Sequence, residues 1–342
     1  VDQADDQLDA EGTLNDLSLF TRHFLPQDAK ASELREKEYK QFFFVTFVLF
    51  GVKTKTDNTP TELKEQDMST SQNKCRPITL LLMIACLLTA IMPDMLRADE
   101  VNVAKDKLHI YLCIGQSNMA GRAPYTEDDA KPIDRCLLLN SEDKWEAAAI
   151  PLNKYSTVRK VIGMQKMNPS YMFAKTMLQA DKDITIGLVV NAKGGTKIDQ
   201  WAKGMEATHP DEPFYVEAVR RTKIAMQTGT LKGIIWHQGE ANNRDPKYIE
   251  KITQFIANLR EDLGTPDLPF VCGQINMAQE RPINTLILEL PRQVPHTGVV
   301  SAEGLVAMDD WHFDRPSMIE LGTRYGKKML EVQGKVKTEA AH

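Results

Sequence analysis

The sequence predicts an α/β fold, a three-layer sandwich in which helices cover both faces of a central parallel sheet. Three observations carry this. Short apolar runs alternate with amphipathic segments of about 12–17 residues, the pattern of βαβ crossovers. The runs are continuously apolar, as strands buried on both faces are. Several end directly in glycine-bearing polar clusters, where a parallel sheet presents its carboxyl edge.

The elements follow in order. Residues 108–114 (LHIYLCI) form a buried strand ended by Gly115, and Cys136 to Asn140 is a second short run. Pro169 to Ala180 has helical spacing, through Tyr171, Phe173, Ala174, Met177 and Leu178. A strand covers 184–190, an amphipathic helix 214–226 and another strand 231–236. Pro246 opens a helix that runs to Leu263. Strands over 269–275 and, more weakly, 299–302 precede a last helix over 316–332.

Of the 342 residues, 42% are hydrophobic and 26% charged, which excludes collagen-like, coiled-coil and wholly disordered chains. Residues 1–67 carry 14 Asp/Glu against 8 Lys/Arg, so the −5 net charge resides in that segment. The remainder is near neutral with no basic stripe, which argues against a nucleic-acid partner. The first internal methionine is Met68. Lys74 and Arg76, the apolar run Ile78 to Met92 and the exit Leu96-Arg97-Ala98 have the layout of a secretory signal peptide cleaved after Ala98. Cys86 offers a lipoprotein alternative, and a buried helix of the fold is a third reading of 78–92. The expected organisation is an N-terminal extension (1–67), a signal peptide (68–98) and one three-layer α/β domain (99–342). The mature form has no membrane span, because the run is shorter than the about 20 residues a spanning helix needs. Localisation is then secreted or periplasmic. Cys113, Cys136 and Cys272 remain, an odd number. Cys113 and Cys272 lie in apolar runs where a free buried thiol is the default. No Cys/His spacing indicates a metal.

Four polar clusters stand at strand ends or near the C-terminus: Gly115-Gln116-Ser117-Asn118-Met119-Ala120-Gly121-Arg122, Asn191-Ala192-Lys193-Gly194-Gly195-Thr196, Trp236-His237-Gln238-Gly239-Glu240 and Asp309-Asp310-Trp311-His312. Each alone has a bland explanation. A serine after a strand is ordinarily a helix cap, paired glycines are ordinarily a turn, and His237 can pack under the sheet end. Together they supply what acyl transfer needs: a nucleophile, a base, an orienting acid and N–H donors.

GQSNMAGR, NAKGGT, WHQGE and DDWH, in this order, resemble the SGNH hydrolases. More narrowly they resemble the sialate O-acetylesterase-like branch, which includes the acetylxylan esterases of carbohydrate esterase family six. The resemblance spans residues 108 to about 330 and implies a flavodoxin-like sheet and a serine esterase. Met119 stands where the GxSxG elbow of α/β-hydrolases has its last glycine. Lys193 replaces an expected small neutral residue. Ala241-Asn242-Asn243 replaces an expected acidic one. Both departures bear on substrate preference more than on chemistry.

Ser117 is the expected nucleophile, placed at a strand-to-helix turn, and His312 the expected base, since an imidazole can take a proton near pH 7. Asp309 is expected to orient it, because i,i+3 side chains share a face; Asp310 and Asp314 are rivals. The expected oxyanion donors are the Ser117 N–H, an N–H of Gly194 or Gly195, and the Gln238 side-chain amide. Gly194 aligns better than Gly195. Glu240 is expected to orient neighbours, and Asn118 and Arg122 to hold the loop or the sugar. The resemblance implies no cofactor. The leading reading is an exported carbohydrate O-acetylesterase acting on acetylated xylan, sialic acid or a related glycan. Alternatives are an SGNH lipid esterase or thioesterase, and a non-catalytic carbohydrate-binding protein. The polar stretch between Arg122 and Tyr155 argues against an acyl channel.

Overall fold

The computed structural model describes residues 103–159 and 163–335. The expected extension, signal segment and Cys86 lie outside them. Seven strands form one sheet in the order β3-β2-β4-β1-β5-β6-β7. They are β1 (Leu108–Gly115), β2 (Cys136–Leu139), β3 (Trp145–Ala147), β4 (Thr185–Val190), β5 (Thr230–His237), β6 (Phe270–Gly273) and β7 (Thr297–Val300). Every pairing is parallel except β2 with β3. That exception was not expected from the sequence and has a local cause. Residues 140–144 form a tight connection in which the Asn140 side chain accepts the N–H groups of Glu142 and Lys144. So short a link can join only antiparallel neighbours.

The continuous apolar runs are explained by the layers. Tyr111 and Cys113 of β1 face one core, with α2 (Ser170–Ala180) and α7 (Arg315–Val332). Ile110, Leu112 and Ile114 face the other, with α3 (Phe214–Ala225) and α4 (Tyr248–Asp262). With side chains alternating between faces, a strand covered twice must be apolar throughout. Trp201 and Trp236 meet edge to face in the second core at 5.2 Å, and burying a side chain of this size contributes more than about 1.5–3 kcal/mol, the figure for a Leu or Phe. The helices end within two residues of the expected limits. The short helices α5 (Pro282–Leu288) and α6 (Leu290–Gln293) have no clear periodic signal in the sequence. Cys113, Cys136 and Cys272 are all buried free thiols, and burial pushes Cys113 and Cys272 up to about 12.

Sheet order places the site. β1 lies between β4 and β5, with Cys113 opposite Val190 and Gly115 opposite His237. The loops leaving these three strands therefore emerge side by side. Gly115 has φ +141°, and a Cβ there would stand 2.2 Å from the His237 carbonyl oxygen. Only glycine permits that approach, and the next residue, Gln116, donates its N–H to the same carbonyl at 2.9 Å.

Candidate active site

Ser117 follows β1 at the first position of α1 (Ser117–Ala120). The expected strand-to-helix turn is present, but α1 is a single turn closed by Gly121, so what it offers is individual N–H groups rather than a helix dipole. The Ser117 Oγ lies 3.0 Å from His312 Nε2, although 195 residues separate them. His312 Nδ1 lies 2.8 Å from Asp309 Oδ2. Asp309 Oδ1 accepts the backbone N–H groups of Trp311 and His312 at 2.8 and 2.7 Å. Burial pushes the Asp309 carboxyl up, but the His312 ring and the two N–H groups outweigh it and hold it below the ordinary aspartate value. An ionised Asp309 accepts a hydrogen bond from Nδ1–H and so keeps the ring proton on Nδ1, which leaves Nε2 to accept from the Ser117 hydroxyl.

The two rival aspartates are engaged elsewhere. The Asp310 carboxylate accepts from Gln279 Nε2, and its carbonyl accepts from Asn276 and Arg281. Asp314 caps α7 by accepting the Ser317 N–H at 2.9 Å.

Asn118 ties the loops together. Its Nδ2 donates to Glu240 Oε1 at 2.7 Å and to the Trp311 carbonyl at 3.0 Å, and its Oδ1 accepts the Phe313 N–H. The turn that carries Ser117 is thus fastened to the loop that carries His312. Glu240 is buried, and burial pushes its carboxyl up to about 7 against the bond from Asn118 and the nearby Arg281 charge. His237 is fully enclosed and bonded through Nδ1 to the Tyr325 hydroxyl, and burial lowers it to about 3. It packs under the sheet end.

Gln238 departs from its expected place in the oxyanion site. Its side chain is fully buried, and both Nε2 hydrogens are engaged, to the Thr196 carbonyl at 3.1 Å and to Asn242 Oδ1 at 2.7 Å. An amide has two N–H groups, so none is left for an oxyanion. Gln238 instead binds the loop after β4 to the loop after β5.

Gly194 and Gly195 both border the cavity, for different reasons. A Cβ on Gly194 would stand 2.8 Å from Arg122 Nη2 and 3.4 Å from Ser117 Cβ, so a side chain there would displace the guanidinium. Gly195 has open space around it but φ +77°, so glycine is required there by backbone conformation. Among the described residues, neither the Ser117 nor the Gly194 N–H is engaged by a loop carbonyl.

These groups open into a cavity of about 680 Å³ lined also by Arg122, Arg159, Lys193, Asp211, Glu212 and Trp311. Trp311 is 37% exposed, and the Arg281 guanidinium stacks on its ring at 4.2 Å. Gln116, Arg159, Asp211 and Glu212 received no role from the sequence. For Gln116 a signal existed, its place before Ser117: its Oε1 accepts from Gly239 and Ala241. The others lie in loops without periodicity. No group of three or more His, Cys, Asp or Glu that could hold a metal ion occurs among the described residues, and no helix among them is long and apolar enough to cross a membrane.

Residues 107–331 match the family described as carbohydrate esterase, sialic acid-specific acetylesterase. A probable carbohydrate esterase of Arabidopsis thaliana is 30% identical over 251 residues, 65% of this chain and 90% of that protein. The crystal structure of an Arabidopsis thaliana protein superposes with a TM-score of 0.57 at 26% identity, covering 65% of this chain and 98% of that one. A carbohydrate acetylesterase from Xanthomonas citri shares the fold at a TM-score of 0.51 and 20% identity, covering 66% of this chain and 57% of that one. NanS shares it at 0.50 and 16%, covering 68% and 100%.

Proposed function

The chain belongs to the carbohydrate esterase family of sialic acid-specific acetylesterases and is a carboxylic ester hydrolase; on that premise we propose that it removes O-acetyl groups from a glycan through an acetyl-serine intermediate on Ser117. The observation that carries this is the chain Ser117–His312–Asp309, with links of 3.0 and 2.8 Å, at the mouth of the cavity.

In the first half-reaction Ser117 Oγ attacks the acetyl carbonyl carbon and gives its proton to His312 Nε2. Asp309 stabilises the imidazolium through Nδ1–H. The carbonyl oxygen becomes an oxyanion facing the Ser117 and Gly194 N–H groups. As the intermediate collapses, the bond to the sugar oxygen breaks and His312 returns the proton to that oxygen. The freed hydroxyl leaves, and the acetyl group stays on Ser117. In the second half-reaction His312 takes a proton from water, the resulting nucleophile attacks the acetyl-serine, and acetate departs as Ser117 regains its proton.

The cavity favours a sugar over a fatty acyl chain. Asp211 and Glu212 suit a ligand rich in hydroxyl groups, and an exposed indole suits the apolar face of a pyranose. Acetylated xylan, acetylated sialic acid and related glycans are the substrates to compare. The basic flank, apolar run and exit of residues 74–98 further support export before action.

Acetate release from a panel of acetylated polysaccharides and acetylated sialic acids, beside p-nitrophenyl esters of increasing chain length, tests the reading. Acetyl esters should be hydrolysed and long-chain esters should not. Ser117→Ala should lower kcat by about 10⁶-fold with the fold intact. Acetate release retained in the purified variant would sink the nucleophile assignment.

A further inference from the structure

With Gln238 turned inward, the oxyanion site formed by the Ser117 and Gly194 N–H groups has no amide side chain to complete it. We propose that Arg122 is the third donor, its Nη2 directed at the oxygen of the acetyl group as that oxygen becomes negative. The proposal rests on the serine mechanism above.

Four observations converge on Arg122. First, Nη2 lies 2.8 Å from the point where a Gly194 Cβ would stand, and Ser117 Cβ lies 3.4 Å from that same point. The guanidinium, the nucleophile and the Gly194 backbone therefore converge on one small region, where the missing side chain of Gly194 leaves room for Nη2. Second, the guanidinium is held by the nucleophile's own turn. Arg122 Nη1 donates to the Gly121 carbonyl at 2.9 Å, and the Gly121 N–H donates back to the Ser117 carbonyl at 3.0 Å. Arg122 and Ser117 are parts of one short closed segment, so the donor needs little reorganisation when charge develops. Third, the guanidinium is partly withdrawn from water, and the Asp309 carboxylate is the charge that favours its ionised form. That arrangement balances charge through the reaction. In the resting state Asp309 faces a neutral imidazole. When His312 gains the Ser117 proton, Asp309 neutralises the imidazolium, and Arg122 faces the new oxyanion. Fourth, Lys193, one of the two other cations that line the cavity, is directed elsewhere: it places its ammonium over the Phe214 ring at 5.2 Å.

A guanidinium suits this task better than the amide it replaces. It stays charged across the working pH range, and its hydrogen bonds to an anion are roughly twice as strong as neutral ones. The ground-state carbonyl is nearly neutral and gains little from it, so its contribution falls on kcat.

The test uses the full chain with two neutral substrates, p-nitrophenyl acetate and a peracetylated xyloside, and one carboxylate-bearing substrate, an O-acetylated sialic acid, and compares Arg122→Met with Arg122→Lys. Arg122→Met should lower kcat about 100- to 1,000-fold with KM changed less than about threefold. Arg122→Lys should recover part of that loss. Affinity for a boronic acid that forms a tetrahedral adduct on Ser117 should fall in parallel with kcat/KM, while affinity for acetate should not. Two results overturn the proposal: a folded Arg122→Met with kcat within about threefold of the parent, or a loss that falls on KM and only for carboxylate-bearing acetylated sugars. The second would make Arg122 a substrate-binding cation instead. If Arg122→Met does not fold, the kcat and KM of Arg122→Lys decide by the same criteria. A parent chain that releases no acetate overturns the preceding reading, whereas an active parent, a dead Ser117→Ala and an active Arg122→Met overturn only this one.

Discussion

Two loops at the carboxyl edge of the sheet each carry a histidine and an acid three residues apart, with opposite fates. His237 and Glu240 are enclosed beneath the sheet end, with Nε2 and Oε1 3.7 Å apart. Asp309 and His312 sit at the cavity mouth, with the carboxylate half exposed and the ring bonded at 2.8 Å. Burial drives the first pair toward neutrality, lowering the histidine to about 3 and raising the glutamate to about 7. In the second pair, two backbone N–H groups and the ring hold the aspartate below its ordinary value. The same residue types at the same spacing thus form a structural support in one loop and a proton-handling pair in the other. The deciding quantities are desolvation and the supply of hydrogen bonds to the charged form.

Exchanging the treatment of the two histidines is the most severe way to break this comparison. His312→Gln should cost about 10⁶-fold in kcat with little change in melting temperature. His237→Gln should act chiefly on stability, by about 1–3 kcal/mol, because it disturbs the buried bond to Tyr325. Acetate release and thermal melts on both variants decide it, and a reversal of the two patterns would show that the roles have been read the wrong way round.

The acids should divide likewise, on a smaller scale. Asp309→Asn should lower kcat about 10⁴-fold, since the amide favours the wrong ring tautomer. Glu240→Gln should cost less than about tenfold, because a neutral amide resembles the protonated carboxyl already favoured there. Equal losses in the two variants would erase the distinction.

Gln238→Ala sharpens the contrast between holding and reacting. The Thr196 carbonyl loses its amide donor, and Asn242 loses one of its partners. The expected cost is about 1–3 kcal/mol in stability, read from denaturant midpoints. The kcat loss should be smaller than that of Arg122→Met.

The smallest effect is a pH slope. Between about pH 4.5 and 7 the folded chain keeps a proton on Glu240 that the unfolded chain releases, so this group makes stability fall as pH rises. Between about pH 3 and 6.5 the unfolded chain holds a proton on His237 that the folded chain excludes, so this group makes stability rise with pH. The stability of Glu240→Gln relative to the parent should therefore climb from pH 4.5 to 7. A flat difference across a denaturation series would mean that Glu240 is ionised in the folded chain.

Much of this architecture is legible in the residues because it is local. Continuous apolar runs mark the doubly covered strands, and helical spacing marks α2, α3, α4 and α7. Asp309 stands three residues before His312 and meets it across a bend closed on its own carboxylate, but the sequence alone left Asp310 and Asp314 as rivals. The antiparallel β3, the inward turn of Gln238 and the place of Arg122 are different in kind. Whether an amide at a strand end faces a cavity or a neighbouring loop depends on which acceptors that loop presents. Those acceptors, the Thr196 carbonyl and Asn242 Oδ1, come from two different segments.

By itself the sequence determined the layered α/β class, the strand-end clusters and a short list of aspartates near His312, because periodicity and short-range spacing reside in neighbouring residues. Only the tertiary structure decided that His312 meets a serine 195 positions away, that Gln238 is a brace, and that a guanidinium borders the space between Ser117 and Gly194. Side-chain direction in a loop is set by competition among hydrogen-bond partners that become neighbours only when the sheet orders its strands, and no local pattern encodes that competition.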